Sequence, residues 1–198
     1  MSKAKGKKKA KRKSAVKIFA LIMAFALVVL LAAGFCFKGV LKFLYPVKYG
    51  EYIEKYSAEY NVPKELLYAT ISVESGFDPE AKSNAGAVGL TQIMPSTLAW
   101  LQTKTGDSYT EEDLKNPEIA IKYCAVFYSI LLQKFGDVDA SICAYHAGIN
   151  AVSGWLKDSE YSPDGVTLTK TPSAATNHYL SKVKQAINVY NNLYKEEL

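Results

Sequence analysis

The sequence lacks the residue patterns on which most metal enzymes and covalent hydrolases depend. Its 198 residues include only two histidines and three cysteines, and no HExxH, CxxC, GxSxG or Walker motif occurs. We therefore expect no metal site and no cofactor. Cys143 and His146 are three residues apart, which leaves a thiol nucleophile as one alternative if the helix persists there.

Cysteine is also too scarce for a disulfide framework. Cys36 lies in an apolar run, and Cys124 and Cys143 lie in the apolar helical patterns IAIKYCAVFYSILL and DASICAYHAG. Both patterns favour buried thiols that behave as small hydrophobic side chains. A disulfide between them stays open, because pairing cannot be read from sequence alone.

Acidic groups are absent from the N-terminal segment. Residues 1–17 carry nine basic groups, and residues 18–37 carry no charge and are mostly apolar. Twenty such residues span a hydrocarbon core of about 30 Å, and a basic cluster before them predicts a cytoplasmic N-terminus. We predict a basic cytoplasmic segment (1–17), a transmembrane helix (18–37), a juxtamembrane linker (38–50) and an outward-facing domain (51–198).

Three alternatives compete with a retained single-pass anchor. The lysine run resembles a nucleic-acid-binding tail, but its position beside an apolar segment favours the topological interpretation. Ala32-Ala33-Gly34 resembles a signal-peptide cleavage site, although the apolar run exceeds the roughly 7–15 residues of a signal core. A lipoprotein is disfavoured because Phe35 separates these small residues from Cys36. We favour the retained anchor in the cytoplasmic membrane.

The charge of the outward part differs from that of the whole chain. The net charge of +5 includes the nine basic groups of residues 1–17, which leaves 15 basic against 19 acidic groups for residues 38–198. This part is mildly acidic, so we expect no nucleic-acid partner.

The rest of the sequence is helical in pattern almost throughout, with few alternating runs. Turn and breaker signals such as Asn116-Pro117, Gly106-Asp107 and Gly136-Asp137 divide it. The fold class is therefore mainly α, in one domain. The predicted helices cover residues 51–60, 63–75, 95–104, 117–135, 137–147, 149–157 and 175–194.

Glu74 is a charged residue on the apolar face of the predicted helix 63–75. At 100° per residue it lies about 20° from Leu67. It also falls in the last turn, because Gly76 is a natural terminator. Loss of solvation and the negative end of the helix dipole should both raise its pKa towards that of a general acid. A buried ion pair with a lysine or arginine is the structural alternative.

A glycine-spaced segment follows Glu74 directly and adds to its interest. Residues 83–95 read SNAGAVGLTQIMP, with glycines at positions 86 and 89, and a proline-started helix comes next. Glycines allow a backbone to approach a ligand closely. Taken alone, such a pair of glycines usually makes a turn.

Four motifs in order then resemble the soluble-lytic-transglycosylase (SLT) family, which is related to goose-type lysozyme. ESGFDPEAKSNAGAVGLTQIMPSTL resembles the first two family motifs, E-S-x-x-x-P and S-x-x-G-A-x-G-L-M-Q-I-M-P. AYHAG at 144–148 is similar to A-Y-N-A-G, and ATNHYL at 175–180 is a looser match to E-T-x-x-Y-V. The resemblance implies a lysozyme-like α fold that acts on peptidoglycan.

The same resemblance assigns roles to individual residues. It makes Glu74 the sole catalytic acid and base, oriented by the hydroxyl of Tyr179. Tyr145 would pack and bond near the cleavage site. The implied substrate-binding positions are Ser75, Gly89, Gln92, Met94, Tyr145, His146 and Tyr179.

Three residues depart from the family pattern. His146 stands where asparagine is usual, and its charge can titrate near neutral pH. Ala175 replaces the acid of the fourth motif, so one supporting hydrogen bond is expected to be missing. Thr91 replaces a methionine, which is a milder change. These departures bear on pocket contacts more than on Glu74.

A lone carboxylate fits the chemistry that the resemblance implies. Ordinary glycosidases need two carboxyl groups, and no second acid lies within a motif here. A lytic transglycosylase needs one, because the C6 hydroxyl of the N-acetylmuramoyl residue acts as the nucleophile and a 1,6-anhydro ring closes. Proximity of that hydroxyl supplies part of the rate acceleration.

The functional prediction is a membrane-anchored lytic transglycosylase that cleaves the MurNAc–GlcNAc β-1,4 bond of peptidoglycan glycan strands. A goose-type-like lysozyme that hydrolyses the same bond is one alternative. A glycan-binding scaffold module with little catalysis is the other, suggested by His146 and Ala175. No motif identifies a protein partner.

Overall fold

The N-terminal helix α1 covers Ser2–Leu44 and forms a unit of its own. The computed structural model describes the backbone of residues 2–195 and the side chains of residues 21–195. Residues 21–44 of α1 have a mean hydropathy of 2.4 and none is buried. This stretch is long and apolar enough to cross a membrane, by length and composition. The orientation predicted from the basic segment stays a prediction. The side chains of residues 1–20, which include that segment, lie outside the described residues.

The second unit, residues 45–198, is mainly helical over its described residues 45–195, with two long loops at residues 75–94 and 156–173. All seven helices predicted for it are present, and each observed boundary lies within two residues of the predicted one. A short 3-10 helix, Glu112–Lys115, was not predicted. The α-helices are α2 (Gly50–Tyr60), α3 (Lys64–Glu74), α4 (Pro95–Thr105), α5 (Pro117–Phe135), α6 (Val138–Ala147), α7 (Ile149–Trp155) and α8 (Ala174–Leu193).

The ends of the helices follow the signals in the sequence. Asn116 caps α5 by accepting a hydrogen bond from the Glu118 amide, and Pro117 occupies the first turn. Gly106 and Gly136 end α4 and α5 in the left-handed conformation. Within residues 2–195 no regular strand forms, and two isolated bridges join Lys82 to Val88 and Val88 to Ile93. The mainly α fold class is confirmed.

The core of this unit surrounds α5, which buries residues on all its faces. Helix α5 packs against α2 and α6, while α3 packs against α8. The C-terminal end of α3 therefore lies at the edge of the core, next to α5 and α8. This arrangement is what brings a carboxylate on α3 among side chains of the core.

The two cysteines of the domain are buried free thiols. Burial raises the pKa of both Cys124 and Cys143 to about 12. The expectation of buried small side chains is confirmed, and the disulfide left open by the sequence does not form. A neutral, buried Cys143 also makes the thiol-nucleophile alternative untenable, since the thiolate is the nucleophilic form.

Candidate active site

Glu74 is the last residue of α3, and the chain turns away immediately after it. Gly76 has φ +61° and Phe77 has φ +68°, two successive residues in the left-handed region. Phe77 is buried, as are Leu67 and Ile71 on the face of α3 that carries Glu74. The turn thus ends α3 at Glu74, whose side chain is partly buried against the core.

The Glu74 carboxylate makes one side-chain hydrogen bond, which comes from α8. The Tyr179 hydroxyl donates to Glu74 Oε1 at 2.7 Å. Burial raises the pKa of Glu74 from 4.5 to about 7, and the bond from Tyr179 opposes part of that rise. A carboxyl group with this pKa is protonated in a substantial fraction of molecules at neutral pH, which suits a general acid.

No cation neutralises Glu74 among residues 21–195. The ion pairs formed there involve other carboxylates, and no cation is among the causes of the raised pKa of Glu74. The ion-pair alternative raised by the sequence therefore does not apply to the described residues. An unpaired buried carboxylate costs folding free energy, and such groups concentrate at functional sites.

The glycine-spaced segment folds into a tight loop that requires one of its glycines. Gly89 has φ +78°, and a Cβ built on it would lie 2.0 Å from the Leu114 carbonyl oxygen of the 3-10 helix. No side chain fits there. The absence of a side chain at Gly89 allows the loop to pack closely on the 3-10 helix. The expectation that Gly89 lines a glycan groove stays a prediction.

Two hydrogen bonds hold this loop between α3 and α6. The Ser75 hydroxyl donates to the Leu90 carbonyl at 2.8 Å, and the Tyr145 hydroxyl donates to the Thr91 carbonyl at 2.8 Å. The buried Thr91 side chain, which departs from the family pattern, donates to the Ala120 carbonyl of α5 at 3.3 Å. The loop is thereby fixed next to the residue that follows Glu74.

Gln92 and Met94 lie at the end of the same loop. Gln92 has φ +49°, and its side-chain amide donates to the carbonyls of Ala81 and Gly89 at 3.1 and 3.0 Å. Met94 is 36% exposed and directly precedes α4. The amide nitrogen of Gln92 thus stabilises the loop, and contact of Gln92 or Met94 with a glycan stays a prediction.

His146 lies against Tyr179 rather than apart from it. The two rings stack with centroids 4.6 Å apart, and His146 Nδ1 is 3.3 Å from the Thr176 hydroxyl. Burial of part of the ring lowers the pKa of His146 below 6.5, so the imidazole is neutral at pH 7. Ala175 is exposed at the start of α8. Of the departures from the family pattern, His146 is thus the one seen to contact Tyr179.

Two residues that sequence reasoning missed complete the surroundings of Glu74. Tyr128 of α5 stacks on Tyr145 with ring centroids 4.7 Å apart, and its hydroxyl is 2.9 Å from that of Thr70 on α3. Thr70 lies one helical turn before Glu74, and this spacing is the feature of the sequence that could have predicted its place beside Glu74. Nothing in the sequence distinguishes Tyr128 from an ordinary core tyrosine.

An aromatic cleft lies beyond Tyr145, between α4 and the start of α7. It has a volume of about 400 Å³. Trp100 packs edge-on against Phe127, and Phe127 in turn contacts Tyr145. The cleft is lined by Ser96, Thr97, Trp100, Phe127, Ala147, Gly148, Ile149, Asn150 and Ala151. Aromatic faces with nearby polar groups are suited to binding sugar rings.

The comparisons with known proteins place these features in a family. The family model of the Transglycosylase SLT domain matches residues 51–165. The chain is 29% identical over 143 residues to the soluble lytic murein transglycosylase of Escherichia coli K12, covering 70% of this chain and 22% of that protein. It is 28% identical over 169 residues to the membrane-bound lytic murein transglycosylase C of Haemophilus ducreyi, covering 74% and 46%.

A solved structure agrees with the sequence comparisons. The 70-kDa soluble lytic transglycosylase of Escherichia coli superposes with a TM-score of 0.69 at 25% identity, over 77% of this chain and 25% of that one. The chain spans between about a fifth and a half of the length of the two curated relatives. The domain match, the order of the motifs and the shared fold lead to one conclusion: the chain belongs to the Transglycosylase SLT domain family.

Proposed function

We propose that the protein is a lytic transglycosylase that cleaves the MurNAc–GlcNAc β-1,4 bond of peptidoglycan and leaves 1,6-anhydro-MurNAc ends. The observation that carries the proposal is the single, partly buried Glu74, whose pKa is about 7 and whose Oε1 accepts from Tyr179. Membership of the SLT family supports it, as do relatives whose names describe them as lytic murein transglycosylases.

Glu74 acts first as an acid and then as a base. Its protonated form donates a proton to the glycosidic oxygen, and the C1–O bond of the N-acetylmuramoyl residue breaks. The resulting carboxylate then accepts the proton of the C6 hydroxyl while O6 of the same residue attacks C1. The bond lost is the glycosidic C–O bond, the bond gained closes the anhydro ring, and Glu74 ends protonated again.

A second carboxylate has no part in this reaction. The acidic residues that lie near the motifs in the sequence form hydrogen bonds or ion pairs with groups other than Glu74. Asp107 pairs with Lys122 at 2.7 Å, and Asp113 accepts from Thr110 at 2.7 Å. Asp78 is exposed and accepts from the Glu80 amide in the turn after α3. A hydrolytic mechanism with two carboxyl groups is therefore less well supported than intramolecular attack.

The hydroxyl of Tyr179 has a defined role in both half-reactions. By donating to Oε1, it keeps one carboxyl oxygen occupied and leaves Oε2 to carry the proton towards the substrate. Because the bond favours the ionised form, it also limits how far burial raises the pKa. The aromatic cleft that contains Trp100 and Phe127 would hold a further part of the glycan strand.

We also propose that α1 anchors the protein in the cytoplasmic membrane. The apolar stretch of residues 21–44 supports an anchor, and the basic residues before it support a cytoplasmic N-terminus. The catalytic domain would then face the cell wall. A membrane-bound relative is consistent with this location.

Mass analysis of the products tests the proposed reaction. The full chain, purified in detergent, is incubated with purified peptidoglycan, and the released muropeptides are weighed. Anhydro ends, lighter by one water than reducing ends, are expected. Reducing ends would replace the proposal with hydrolysis, and the absence of products from a folded protein would favour a binding module. The Glu74→Gln variant is the control for contaminating activity.

A further inference from the structure

Three hydroxyl groups on three helices form a row of pairwise interactions that leads to the Glu74 carboxylate. They belong to Thr70 on α3, Tyr128 on α5 and Tyr179 on α8. All three residues are buried, with 7% exposure or less. The row ends at Glu74, which accepts from Tyr179 at 2.7 Å. Each hydroxyl has one hydrogen to donate, so the direction of each bond restricts the next.

The direction of the row is fixed at its far end. The Thr70 hydroxyl donates to the Leu66 carbonyl at 2.8 Å, one turn earlier in α3. A carbonyl oxygen only accepts, so the one hydrogen of the Thr70 hydroxyl is committed to it. The 2.9 Å contact between Thr70 and Tyr128 must therefore have Tyr128 as the donor.

It follows that the Tyr128 hydroxyl can act only as a hydrogen-bond acceptor on the side of Tyr179 and Glu74, because its hydrogen is donated to Thr70. The Tyr128 hydroxyl interacts with that of Tyr179 and is affected by the charge of Glu74. The ring of Tyr128 is held by stacking on Tyr145, with an angle of 14° between the ring planes. Burial keeps the pKa of Tyr128 well above 10, so it stays a neutral phenol at physiological pH.

The protonation state of Glu74 decides how strongly its carboxyl group holds the hydrogen of the Tyr179 hydroxyl. The carboxylate is a strong acceptor and holds the Tyr179 hydrogen. A protonated carboxyl group is a weaker acceptor, and the oxygen of Tyr128 then competes for the same hydrogen. The negative end of the Tyr128 hydroxyl dipole also faces the carboxylate, which disfavours its charge.

We propose that Tyr128 is a positioning residue for the acid and base: Thr70 fixes its hydroxyl so that the oxygen faces the Tyr179–Glu74 pair and favours protonated Glu74. The inference rests on the proposed function, in which protonated Glu74 is the form that starts the reaction. Tyr128 acts through Tyr179 and touches no reacting atom.

The tyrosines and the cysteine around Glu74 keep a constant charge over the range in which it titrates. Tyr145 on α6 and Tyr179 on α8 have pKa values well above 10, and Cys124 on α5 has one of about 12, in each case through burial. Burial lowers the pKa of His146, which stacks on Tyr179, so this ring gains charge only towards the acidic side of that range. An imidazole has no carboxyl band, so a carboxyl band that titrates near neutral pH at this site reports Glu74.

The first test replaces Tyr128 with phenylalanine in the full chain, in detergent. The readout is the infrared band of the protonated carboxyl group that is absent from the Glu74→Gln variant, followed against pH. Loss of the Tyr128 oxygen should lower the midpoint by about 0.5–1 unit, the equivalent of one ordinary hydrogen bond. Tyr123→Phe, another buried tyrosine of α5 whose hydroxyl donates to Asp107, is the matched control and should leave the midpoint unchanged.

A second pair of variants tests the fixed direction of the row. Thr70→Val removes the acceptor of Tyr128 and frees its hydrogen to turn towards Tyr179, so the Glu74 midpoint should fall. Thr70→Ser keeps both bonds of the hydroxyl and should restore the wild-type midpoint. An unchanged midpoint in both Tyr128→Phe and Thr70→Val, or a rise in either, would overturn the inference.

The infrared readout separates this inference from the proposed function. The Glu74 midpoint can be measured whether or not the protein cleaves peptidoglycan. A wild-type chain that releases no muropeptides would refute the function, whereas only the midpoints of the variants decide the role of Tyr128. In an active protein, the alkaline limb of the kcat/KM profile should move down with the midpoint in Tyr128→Phe and stay in place in Tyr123→Phe.

Discussion

Two of the tyrosine–carboxylate pairs in the domain look alike in their hydrogen bonds and differ in their surroundings. Tyr179 donates to Glu74 at 2.7 Å, and Tyr123 donates to Asp107 at 3.0 Å. Yet the pKa of Glu74 is raised to about 7, whereas that of Asp107 is lowered below 3.8. The hydrogen bond from tyrosine therefore does not decide the direction of the shift.

The difference has two causes, a cation beside Asp107 and the burial of Glu74. Lys122 lies 2.7 Å from Asp107, and its hydrogen bond is the main reason for the low pKa of Asp107. Around Glu74 the main influence is burial, with the Tyr179 bond opposing it. A paired carboxylate remains ionised and structural, and an unpaired one at the edge of the core can exchange its proton near pH 7.

The largest difference between the two carboxylates should be in activity. Glu74→Gln removes the acid and base and should lower kcat/KM on peptidoglycan by about 100-fold or more. Asp107→Asn leaves the reacting groups intact and should change kcat/KM by less than about twofold. Release of soluble muropeptides measures both. Circular dichroism of the two variants must match the wild type, because loss of helix in either would make the comparison meaningless.

If folded Glu74→Gln retained activity, the assignment of the acid would be wrong. A large loss in Asp107→Asn would be equally damaging, since it would place catalysis at the paired carboxylate.

The two substitutions should also have opposite effects on stability. Because the pKa of Glu74 is raised on folding, the folded state holds the proton more tightly between pH 4.5 and about 7, and stability falls as pH rises through that range. At pH 8, Glu74→Gln should therefore stabilise the domain by about 1–3 kcal/mol. The gain should disappear at pH 4, where wild-type Glu74 is protonated. Thermal unfolding in detergent at both pH values measures this.

Asp107 gives the matching opposite case. Its pKa is lowered on folding, so its contribution is present above pH 3.8 and is lost as pH falls through the folded pKa. Asp107→Asn should destabilise the domain by about 1 kcal/mol at pH 8. If both variants lost stability at pH 8, burial of Glu74 would not carry the free-energy cost inferred here.

Much of this site could be predicted from the sequence because its main elements are local. Helix ends were marked by Asn116-Pro117 and by Gly106 and Gly136, and all three mark the observed boundaries. The position of Glu74 on an apolar helical face depended only on helix periodicity. The raised pKa followed from that position, and the structure shows it with burial as the cause.

What the sequence could not provide were the contacts made across the fold. The bond between Thr70 and Tyr128 joins residues 58 apart, and the Tyr179–Glu74 bond joins residues 105 apart. Only the family resemblance suggested the second, and nothing suggested the first. The close packing of Gly89 on the Leu114 carbonyl was not suggested either, while contact of Gly89 with a glycan stays a prediction. Such packing depends on which elements become neighbours, which local patterns do not specify.

Removal of the tyrosine hydroxyl should change the pH dependence of kcat/KM in the Tyr179–Glu74 pair and not in the Tyr123–Asp107 pair. Tyr179→Phe takes away the bond that favours ionised Glu74, so the pKa of Glu74 should rise by about 1 unit. The alkaline limb of the kcat/KM profile should move up by the same amount. Tyr123→Phe should leave it in place. A downward shift in Tyr179→Phe would show that the hydroxyl favours the protonated form, contrary to the direction of the bond described here.

The smallest effect on stability should come from removing the cation beside Asp107, which leaves this carboxylate without an ion-pair partner, as Glu74 is. Lys122→Met removes the cation and keeps the hydroxyls of Tyr123 and Thr105 beside the carboxylate. The pKa of Asp107 should then rise towards its ordinary value, while the free energy of unfolding at pH 7 falls by about 0.5–1 kcal/mol. Carbon-13 NMR of labelled aspartate, assigned with Asp107→Asn, follows the titration. Because Asp107 is more accessible to water than Glu74, its pKa should stay well short of 7. A pKa still below 3.8 without Lys122 would mean that hydroxyl donors alone keep Asp107 ionised, and the contrast with Glu74 would then rest on burial and not on the missing cation.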